Sequence, residues 1–267
     1  MRNWTKKSSL QAEKNSPANI LDRSVTQAGQ SPTKVLIMFA LLLFCSSRVF
    51  ATEILVPYQA VYSSNFSGIS VEMKQLLTLG EREQWQLRND VSIAFIGFSE
   101  EALFTVSGLV IEPQRYTYTN VISSKRSSDL RFNREQGIVI DSLHSGQPLS
   151  IADGALDKLS FQIQLRSDLL QAGNNFTEKS YTLVDRTKLK KYTVKKIADE
   201  IIETPIGTFH TTKLEQRRPG KTSYTLIWTA KELDHFIVRI QPIDKDGGGH
   251  VIHLKSLTVG DKEIIGK

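Results

Sequence analysis

Alternation of apolar and polar residues along most of the chain is the feature that most limits its fold. Ile69, Val71 and Met73 alternate with Ser70 and Glu72, and similar runs recur further along. A period of two places one set of side chains on each face of a β-sheet. The sequence therefore predicts a mainly β chain with an antiparallel sheet. Glycines separate the runs at intervals typical of turns: Gly80, Gly97, Gly108, Gly137, Gly146 and Gly207.

One hairpin can be placed from its turn residues. Residues 218–221 have Pro219 at the second position of a turn and Gly220 at the third. Proline fixes its own φ and glycine readily adopts a positive φ, as a type II turn requires. We therefore expect an antiparallel hairpin between residues 211–217 and 222–230.

Two segments are apolar at both odd and even positions, namely residues 91–98 and 102–111. We interpret each as a strand buried on both faces. Such a strand must be covered on both sides, or one face must meet a ligand or a partner. A packed core beneath a helix is the favoured explanation, and an apolar ligand is the alternative.

A single helical segment, residues 153–172, interrupts the strands. Asp153 or Asp157 can cap its start, because a short carboxylate accepts hydrogen bonds from free backbone N–H groups. Gly173 can end it in a left-handed conformation. Part of the segment also alternates as a strand would, but its length and caps favour a helix. Four apolar residues recur at helical spacing: Leu156, Leu159, Ile163 and Leu170.

The N-terminal residues have the composition of an export signal. Lys34 precedes ten apolar residues, 35–44, and the segment that follows, 45–51, contains the small residues Cys45, Ser46, Ser47 and Ala51. A basic flank, a short apolar run and small residues before a cut are typical of a secretory signal peptide. We therefore predict cleavage between Ala51 and Thr52. The chain then divides into a polar leader without stable structure (1–33), the signal core and cleavage region (34–51) and a single mainly β domain (52–267).

Two other interpretations of this region stay open. Residues 35–44 are shorter than the roughly 20 apolar residues that cross a membrane, so an uncleaved anchor is the less favoured alternative. The polar stretch before Lys34 is long for the flank of a signal peptide, and a translation start closer to Lys34 would explain it.

The positive charge of the chain is concentrated in the leader. Residues 1–51 contain seven Lys and Arg against two Asp and Glu. The remaining residues contain 34 − 7 = 27 basic and 28 − 2 = 26 acidic side chains, a net +1. A nearly neutral domain has no basic face for nucleic acid, so we exclude nucleic acid as a partner.

The cysteine content indicates the compartment. The single cysteine, Cys45, lies in the predicted signal core, so the mature chain would contain none. That excludes disulfides, thiolate metal sites and a cysteine nucleophile from the mature protein. A large exported domain that needs no disulfide is typical of the bacterial periplasm, where we place the protein.

No pattern in the sequence predicts a reactive centre. His250 and His253 are three residues apart, and an odd separation on a strand points the two rings to opposite faces. The neighbouring carboxylates Glu100 and Glu101 diverge for the same reason. We therefore predict that the protein is not an enzyme and that it uses no metal and no cofactor.

Three segments in order resemble one family of bacterial proteins. The first contains Asp157, Leu159 and Ser160, the second Thr204, Pro205 and Gly207, and the third Trp228 and Arg239. In this order and spacing they resemble the secreted proteins grouped as domain of unknown function 3108, over roughly residues 55–260. The resemblance implies a periplasmic, mostly antiparallel β protein with a curved sheet or open barrel around a helix. It implies no catalytic residues.

We expect structural roles for these family positions. Pro205 and Gly207 belong to a strand–turn–strand element, because proline presets φ and glycine lets the backbone reverse. Trp228 is a large apolar anchor whose indole N–H needs a partner if it is buried. Arg239 is either a solvated base, the favoured interpretation, or a buried base paired with a carboxylate.

Two functions are consistent with this sequence. The first is a non-enzymatic periplasmic binding or carrier protein that shelters an apolar, lipid-like ligand inside its curved sheet. The alternative is an envelope interaction or scaffolding protein with a packed interior, which adds a strand of its partner at a sheet edge. The sequence identifies neither the ligand nor the partner.

Overall fold

The computed structural model describes residues 55–66, 68–93, 96–144 and 146–266. They form one antiparallel sheet and one α-helix, which confirms the predicted mainly β fold. The elements are β1 (Tyr58–Phe66), β2 (Ile69–Leu79), β3 (Trp85–Ile93), β4 (Ile96–Ser107), β5 (Val110–Asn120), β6 (Ser128–Asn133), β7 (Ile138–Asp141), β8 (Leu149–Ser150), α1 (Lys158–Ala172), β9 (Glu178–Asp185), β10 (Lys188–Thr204), β11 (Gly207–Arg217), β12 (Tyr224–Ala230), β13 (Phe236–Ile243), β14 (Ile252–Val259) and β15 (Lys262–Glu263).

The sheet consists of two meanders joined side by side. Strands β1 to β8 pair in chain order, and so do β9 to β14. Pairing of β1 with β14 joins the two meanders, so β8 and β9 form the two ends of the sheet. The short β15 adds to β14. This is an open, curved sheet, as expected for strands linked by hairpins.

The two segments interpreted as doubly buried strands are hairpins, so that prediction was wrong. In the first, β3 ends at Ile93 and β4 starts at Ile96, and these two residues pair across the turn. In the second, Gly108 adopts a φ of +61° and turns β4 into β5. Leu109 and Val110 beside that turn are 37% and 49% exposed. Their apolar character therefore does not mark a covered second face.

The predicted hairpin around Pro219 and Gly220 is confirmed. β11 pairs with β12 from Thr211 to Arg217, and Arg217 opposes Tyr224 at the end of the ladder. Gly220 has a φ of +71°, and the Lys221 N–H donates to the Arg218 carbonyl oxygen at 3.1 Å. The glycine is needed here because an L side chain rarely adopts this φ.

The helix starts later than predicted. Asp157 caps α1, whereas Asp153 lies in a preceding turn. Leu156 belongs to no helix: its N–H donates to the Thr182 carbonyl oxygen, and it forms an isolated parallel bridge with Leu183 of β9. At the other end Gly173 has a φ of +53° and a ψ of −129°, so it ends the helix with a positive φ but not in the predicted left-handed conformation; its N–H donates to the Leu169 carbonyl oxygen.

The helix occupies the space around which the sheet curves. Nine of its fifteen residues are buried, and they cover most of its circumference. Leu159, Leu165 and Leu169 are at most 1% exposed, whereas Leu170, which the spacing placed in the core, is 38% exposed. A helix buried on most sides belongs to the centre of a fold rather than to its surface.

One side of the helix is polar and buried, and backbone and side-chain groups at β5, its preceding turn and β9 pair with it. Gln164 accepts a hydrogen bond from the Ile111 N–H at 2.8 Å, and the Ser167 hydroxyl donates to the Leu109 carbonyl oxygen at 2.8 Å. Asp168 accepts from the Tyr181 hydroxyl at 2.7 Å and from Lys179 at 2.8 Å. These bonds fix the helix against β5 and β9, because buried polar groups must be paired.

The C-terminal segment ties β14 to the tip of the β10–β11 hairpin. The Ile264 N–H donates to the Leu257 carbonyl oxygen at 2.8 Å, and the Gly266 N–H donates to the Ile206 carbonyl oxygen at 2.6 Å. The backbone passes so close to Gly207 that a Cβ there would lie 2.6 Å from Gly266.

Replacing Gly207 with alanine should therefore destabilise the protein for two reasons, the strained φ and the clash of the new methyl group with Gly266. The φ of +124° is unfavourable for alanine, and the new methyl would displace the C-terminal segment. We expect a loss of about 2 kcal/mol in the free energy of unfolding, measured in urea. Gly220→Ala is the matched control, because that site has positive φ and open space. Equal losses for the two variants would contradict the close approach at Gly207.

The predicted export signal lies outside the described residues. Residues 35–44 and the cleavage positions Ala51 and Thr52 belong to that part, so the division into leader, signal core and domain stays a prediction. Within the described ranges, no helix has both the length and the apolar character needed to span a membrane.

Candidate functional site

The first group of family positions builds the start of the helix. The Asp157 carboxylate accepts from the backbone N–H groups of Leu159 and Ser160 at 2.8 and 2.9 Å, and from the Ser160 hydroxyl at 2.6 Å. Burial raises the pKa of Asp157 to about 6, although these three donors oppose the shift. Leu159 points into the core and is fully buried. This group therefore holds the helix in place.

The second group forms the tip of the β10–β11 hairpin. Thr204 ends β10, Gly207 begins β11, and Pro205 lies in the turn between them. The Thr204 hydroxyl donates to the Gly207 carbonyl oxygen at 2.8 Å. The element is the strand–turn–strand that the sequence predicts.

The third group lies on neighbouring strands beside that tip. Trp228 is 3% exposed, and its indole N–H donates to the Glu200 carboxylate. Lys213 and Arg239 oppose Trp228 across β11 and β13, with their charged groups 4.9 and 5.3 Å from the indole ring. The predicted partner of the indole N–H is thus supplied by a carboxylate, and two cations flank the ring.

Arg239 fits neither interpretation drawn from the sequence. Its guanidinium is half-buried over Trp228 and donates to the Glu203 carbonyl oxygen at 2.9 Å. No carboxylate pairs with it among the described residues. Burial lowers the pKa of Arg239, and the charge of Glu200 opposes that shift. The second and third groups therefore form one cluster, while Asp157 and its neighbours lie at the helix start.

A separate polar cleft lies near the start of the helix. It is formed between β5 and β6 of the first meander and the end of β9 in the second, away from the β1–β14 pairing that joins the two. Its volume is about 280 Å³. The first meander contributes residues of β5, β6 and their connecting loop, and the second contributes the end of β9 and its turn. The cleft is lined by Tyr116, Tyr118, Arg126, Ser128, Lys158, Val184, Asp185 and Arg186.

The cleft has an excess of positive charge. Arg126, Lys158 and Arg186 face one carboxylate, that of Asp185. Burial raises the pKa of Asp185, but the hydrogen bond from Lys190 and the charges of Lys158 and Arg186 outweigh it, so the pKa lies below its usual value. Asp185 therefore stays charged and forms an ion pair with Lys190. Its single negative charge does not balance the positive charges of the side chains that line the cleft.

The two arginines have no close carboxylate partner. Among the described residues, neither Arg126 nor Arg186 forms an ion pair within 4.0 Å, whereas Lys158 approaches Asp185 at 3.9 Å. Both arginines are exposed. Guanidinium groups bind phosphate and carboxylate oxygens through two parallel hydrogen bonds. The cleft can therefore hold an anionic group.

The backbone of Arg186 is held in an unfavourable conformation. Its φ is +55°, and it occupies the turn between β9 and β10, where Asp185 pairs with Lys188. Glycine, asparagine and aspartate are the residues that adopt this conformation most easily. An arginine there costs on the order of 1 kcal/mol. Local strain of this kind is concentrated at functional sites in proteins.

A neighbouring depression continues the cleft along the β5–β6 loop. Arg186 lines both, and Lys125, Leu143 and His144 line the second. His144 hydrogen-bonds to the Asp141 carboxylate at 2.8 Å and to the Lys125 carbonyl oxygen at 3.2 Å. These bonds fix the loop that carries Lys125 and Arg126 against the end of β7.

Sequence reasoning missed this cleft. Arg126, Lys158 and Arg186 belong to no motif, and they are far apart along the chain. The one available local signal was an arginine in a two-residue hairpin turn, where glycine or asparagine is usual. Among the described residues, no three His, Cys, Asp or Glu side chains cluster as metal ligands would.

Comparison with protein families identifies the chain. The model of the family described as "Protein of unknown function (DUF3108)" matches residues 61–255. The chain belongs to this family. For this DUF3108 protein, the resemblance found in its three sequence segments is thus confirmed. A comparison with curated proteins gives no significant match.

One solved structure supports the fold of the DUF3108 protein. A β-barrel-like protein of domain of unknown function DUF1849 from Brucella abortus matches with a TM-score of 0.52 and 12% identity, over 78% of this chain and 99% of that one. The MucA/MucB complex of Pseudomonas aeruginosa matches with a TM-score of 0.36 and 6% identity, over 76% of this chain and 52% of that one. The first match shows that the two chains share a fold.

Proposed function

We propose that this protein is an exported, non-enzymatic binding protein of the bacterial cell envelope, and that it holds an anionic group in the cleft between its two meanders. The observation that carries the proposal is the pair Arg126 and Arg186. Both line one polar cleft, and neither forms an ion pair with a described carboxylate. Cations without carboxylate partners in a concave site favour an anionic ligand.

The packing of the interior favours a ligand on the surface. The helix occupies the space inside the sheet and buries nine of its fifteen residues there, and the half-open depression beside Tyr58, Tyr62 and Arg166 has a volume of about 20 Å³, which is room for one water molecule. An apolar ligand sheltered there would have to displace core side chains. The proposal therefore keeps the binding role of the first hypothesis and the packed interior of the second.

Strand addition at a sheet edge has less support. β9 is an edge strand, and apart from the bridge between Leu183 and Leu156 no strand covers its outer side among the described residues. Its first two residues, Glu178 and Lys179, are charged and exposed. Charged side chains on an edge discourage pairing with another strand. β8, at the other end of the sheet, has two residues only.

The proposal is tested by titrating the purified protein with inorganic pyrophosphate in a calorimeter at low ionic strength. We expect saturable binding that weakens as salt is added, because exposed charges are screened. Arg126→Gln and Arg186→Gln should each weaken binding by about tenfold, since each removes a charge-assisted hydrogen bond.

The control removes two positive charges elsewhere, whereas each arginine variant removes one. Lys245 and Lys262 are exposed and do not line the cleft. A double Lys245→Gln, Lys262→Gln variant should bind pyrophosphate as tightly as the parent protein. If the parent gives no saturable heat, or if the control weakens binding as much as the arginine variants do, the proposal is wrong.

A further inference from the structure

An exposed apolar tip belongs to the β5–β6 loop, which also carries Arg126 of the basic cleft. Val121 and Ile122, adjacent in the β5–β6 loop, are 68% and 67% exposed. Leu143, which lines the neighbouring depression together with Lys125, is 58% exposed. Single exposed apolar residues are common, whereas two large adjacent ones at a loop tip, with a third lining the depression along the same loop, are typical of an interaction surface.

The loop that presents this patch is held by its own hydrogen bonds. The Asn120 carboxamide oxygen accepts from the backbone N–H groups of Ile122 and Ser123 at 3.1 and 2.9 Å. The Val121 N–H donates to the Gly97 carbonyl oxygen at 3.2 Å. The apolar side chains are therefore fixed outward by paired backbone groups, so their exposure is a property of the fold.

Four cations line the cleft and the depression that border the same loop. Lys125 and Arg126 follow the tip directly in the loop, and Lys158 and Arg186 lie on the opposite wall of the cleft. Asp185, the one carboxylate lining the two depressions, is bound by Lys190. Exposed apolar side chains on the same loop as a group of cations complement the surface of an anionic bilayer, whose phosphates lie above its acyl chains.

We infer that the protein docks on an anionic phospholipid surface through this site. Val121, Ile122 and Leu143 enter the interface between head groups and acyl chains, and the cleft holds a lipid phosphate between Arg126 and Arg186. The inference rests on the proposed function, because the lipid head group supplies the anion that the cleft binds. It makes the membrane itself the partner.

The experiment is flotation of the purified protein with vesicles of phosphatidylglycerol and phosphatidylcholine, compared with vesicles of phosphatidylcholine alone. We expect the protein to float with the anionic vesicles only, and to dissociate as salt is raised. A Val121→Ser, Ile122→Ser double variant should bind the anionic vesicles on the order of tenfold more weakly. Removal of Arg126 and Arg186 should cost about fivefold for each cation.

Ile201 supplies the matched control. It is 63% exposed on β10 and lines neither depression. Ile201→Ser should leave vesicle binding unchanged. In an Ile122→Trp variant the tryptophan emission should shift to shorter wavelength with anionic vesicles, whereas in an Ile201→Trp variant the vesicles should produce no shift.

The outcomes separate the inference from the proposed function. Binding of pyrophosphate without flotation on anionic vesicles would overturn membrane docking and leave the anion site intact. Absence of both would overturn both. Flotation that is equally strong with phosphatidylcholine alone, or that the Val121 and Ile122 substitutions weaken no more than Ile201→Ser does, would also overturn docking through this tip.

Discussion

Replacing Leu165 with alanine will lower the free energy of unfolding by about 3–4 kcal/mol. Leu165 is 1% exposed in the middle of the helix, where it packs within the continuous core of the sheet. Truncation removes buried methyl groups and leaves a cavity that rigid neighbouring strands cannot fill. The midpoint and slope of urea denaturation measure this loss.

Leu170→Ala is the control for the Leu165 substitution. Leu170 lies on the same helix but is 38% exposed, so we expect a change below about 1 kcal/mol. A small effect at Leu165 would show that its surroundings are not closely packed. That result would revive the hypothesis of an interior that shelters an apolar ligand.

Replacing Asp157 with alanine will lower the free energy of unfolding by about 3 kcal/mol at neutral pH. The substitution leaves the Leu159 and Ser160 N–H groups and the Ser160 hydroxyl without their shared acceptor inside the protein. Asp157→Asn keeps an oxygen for the two N–H groups and removes a buried charge. We therefore expect the asparagine variant to remain within about 1 kcal/mol of the parent protein.

The pH dependence of stability provides a second measurement on Asp157. Its pKa of about 6 in the folded protein lies above the ordinary value of 3.8, so the folded state binds the proton more tightly than the unfolded state. This group therefore adds stability as the pH falls from about 6 to about 4, by about 3 kcal/mol.

Other carboxylates titrate in the same range, so the difference between two proteins is informative. Asp157→Asn does not titrate at this position. Urea denaturation between pH 4 and 7 should show the parent protein gaining stability relative to the asparagine variant as the pH falls. A difference independent of pH would contradict the raised pKa.

The strands and the helix could be predicted because their signals are local. Gly220 and Asp157 determine a turn and a helix cap through their own backbone and side-chain chemistry, whatever the rest of the fold does. The doubly apolar segments were misinterpreted because a hairpin with apolar residues near its turn has the same pattern as one strand covered on both faces.

Long-range pairing explains what the sequence could not predict. Asn89 interrupts an apolar run in β3 but keeps its inward direction, because Gln75 on β2 donates to its side chain at 2.9 Å. Gln75 in turn accepts from Tyr58 on β1. Arg126 and Arg186 line one cleft because the curvature of the sheet brings the two meanders together. The sequence around either residue does not predict this long-range arrangement.

Pairing of β1 with β14 affects how the molecule is completed during synthesis. Tyr58 opposes Val259, so the outer edge of β1 stays uncovered until almost the whole domain has left the ribosome. Contacts so distant in sequence form late and slowly. For that interval β1 is an open strand that a chaperone could protect, or that a second nascent copy could occupy.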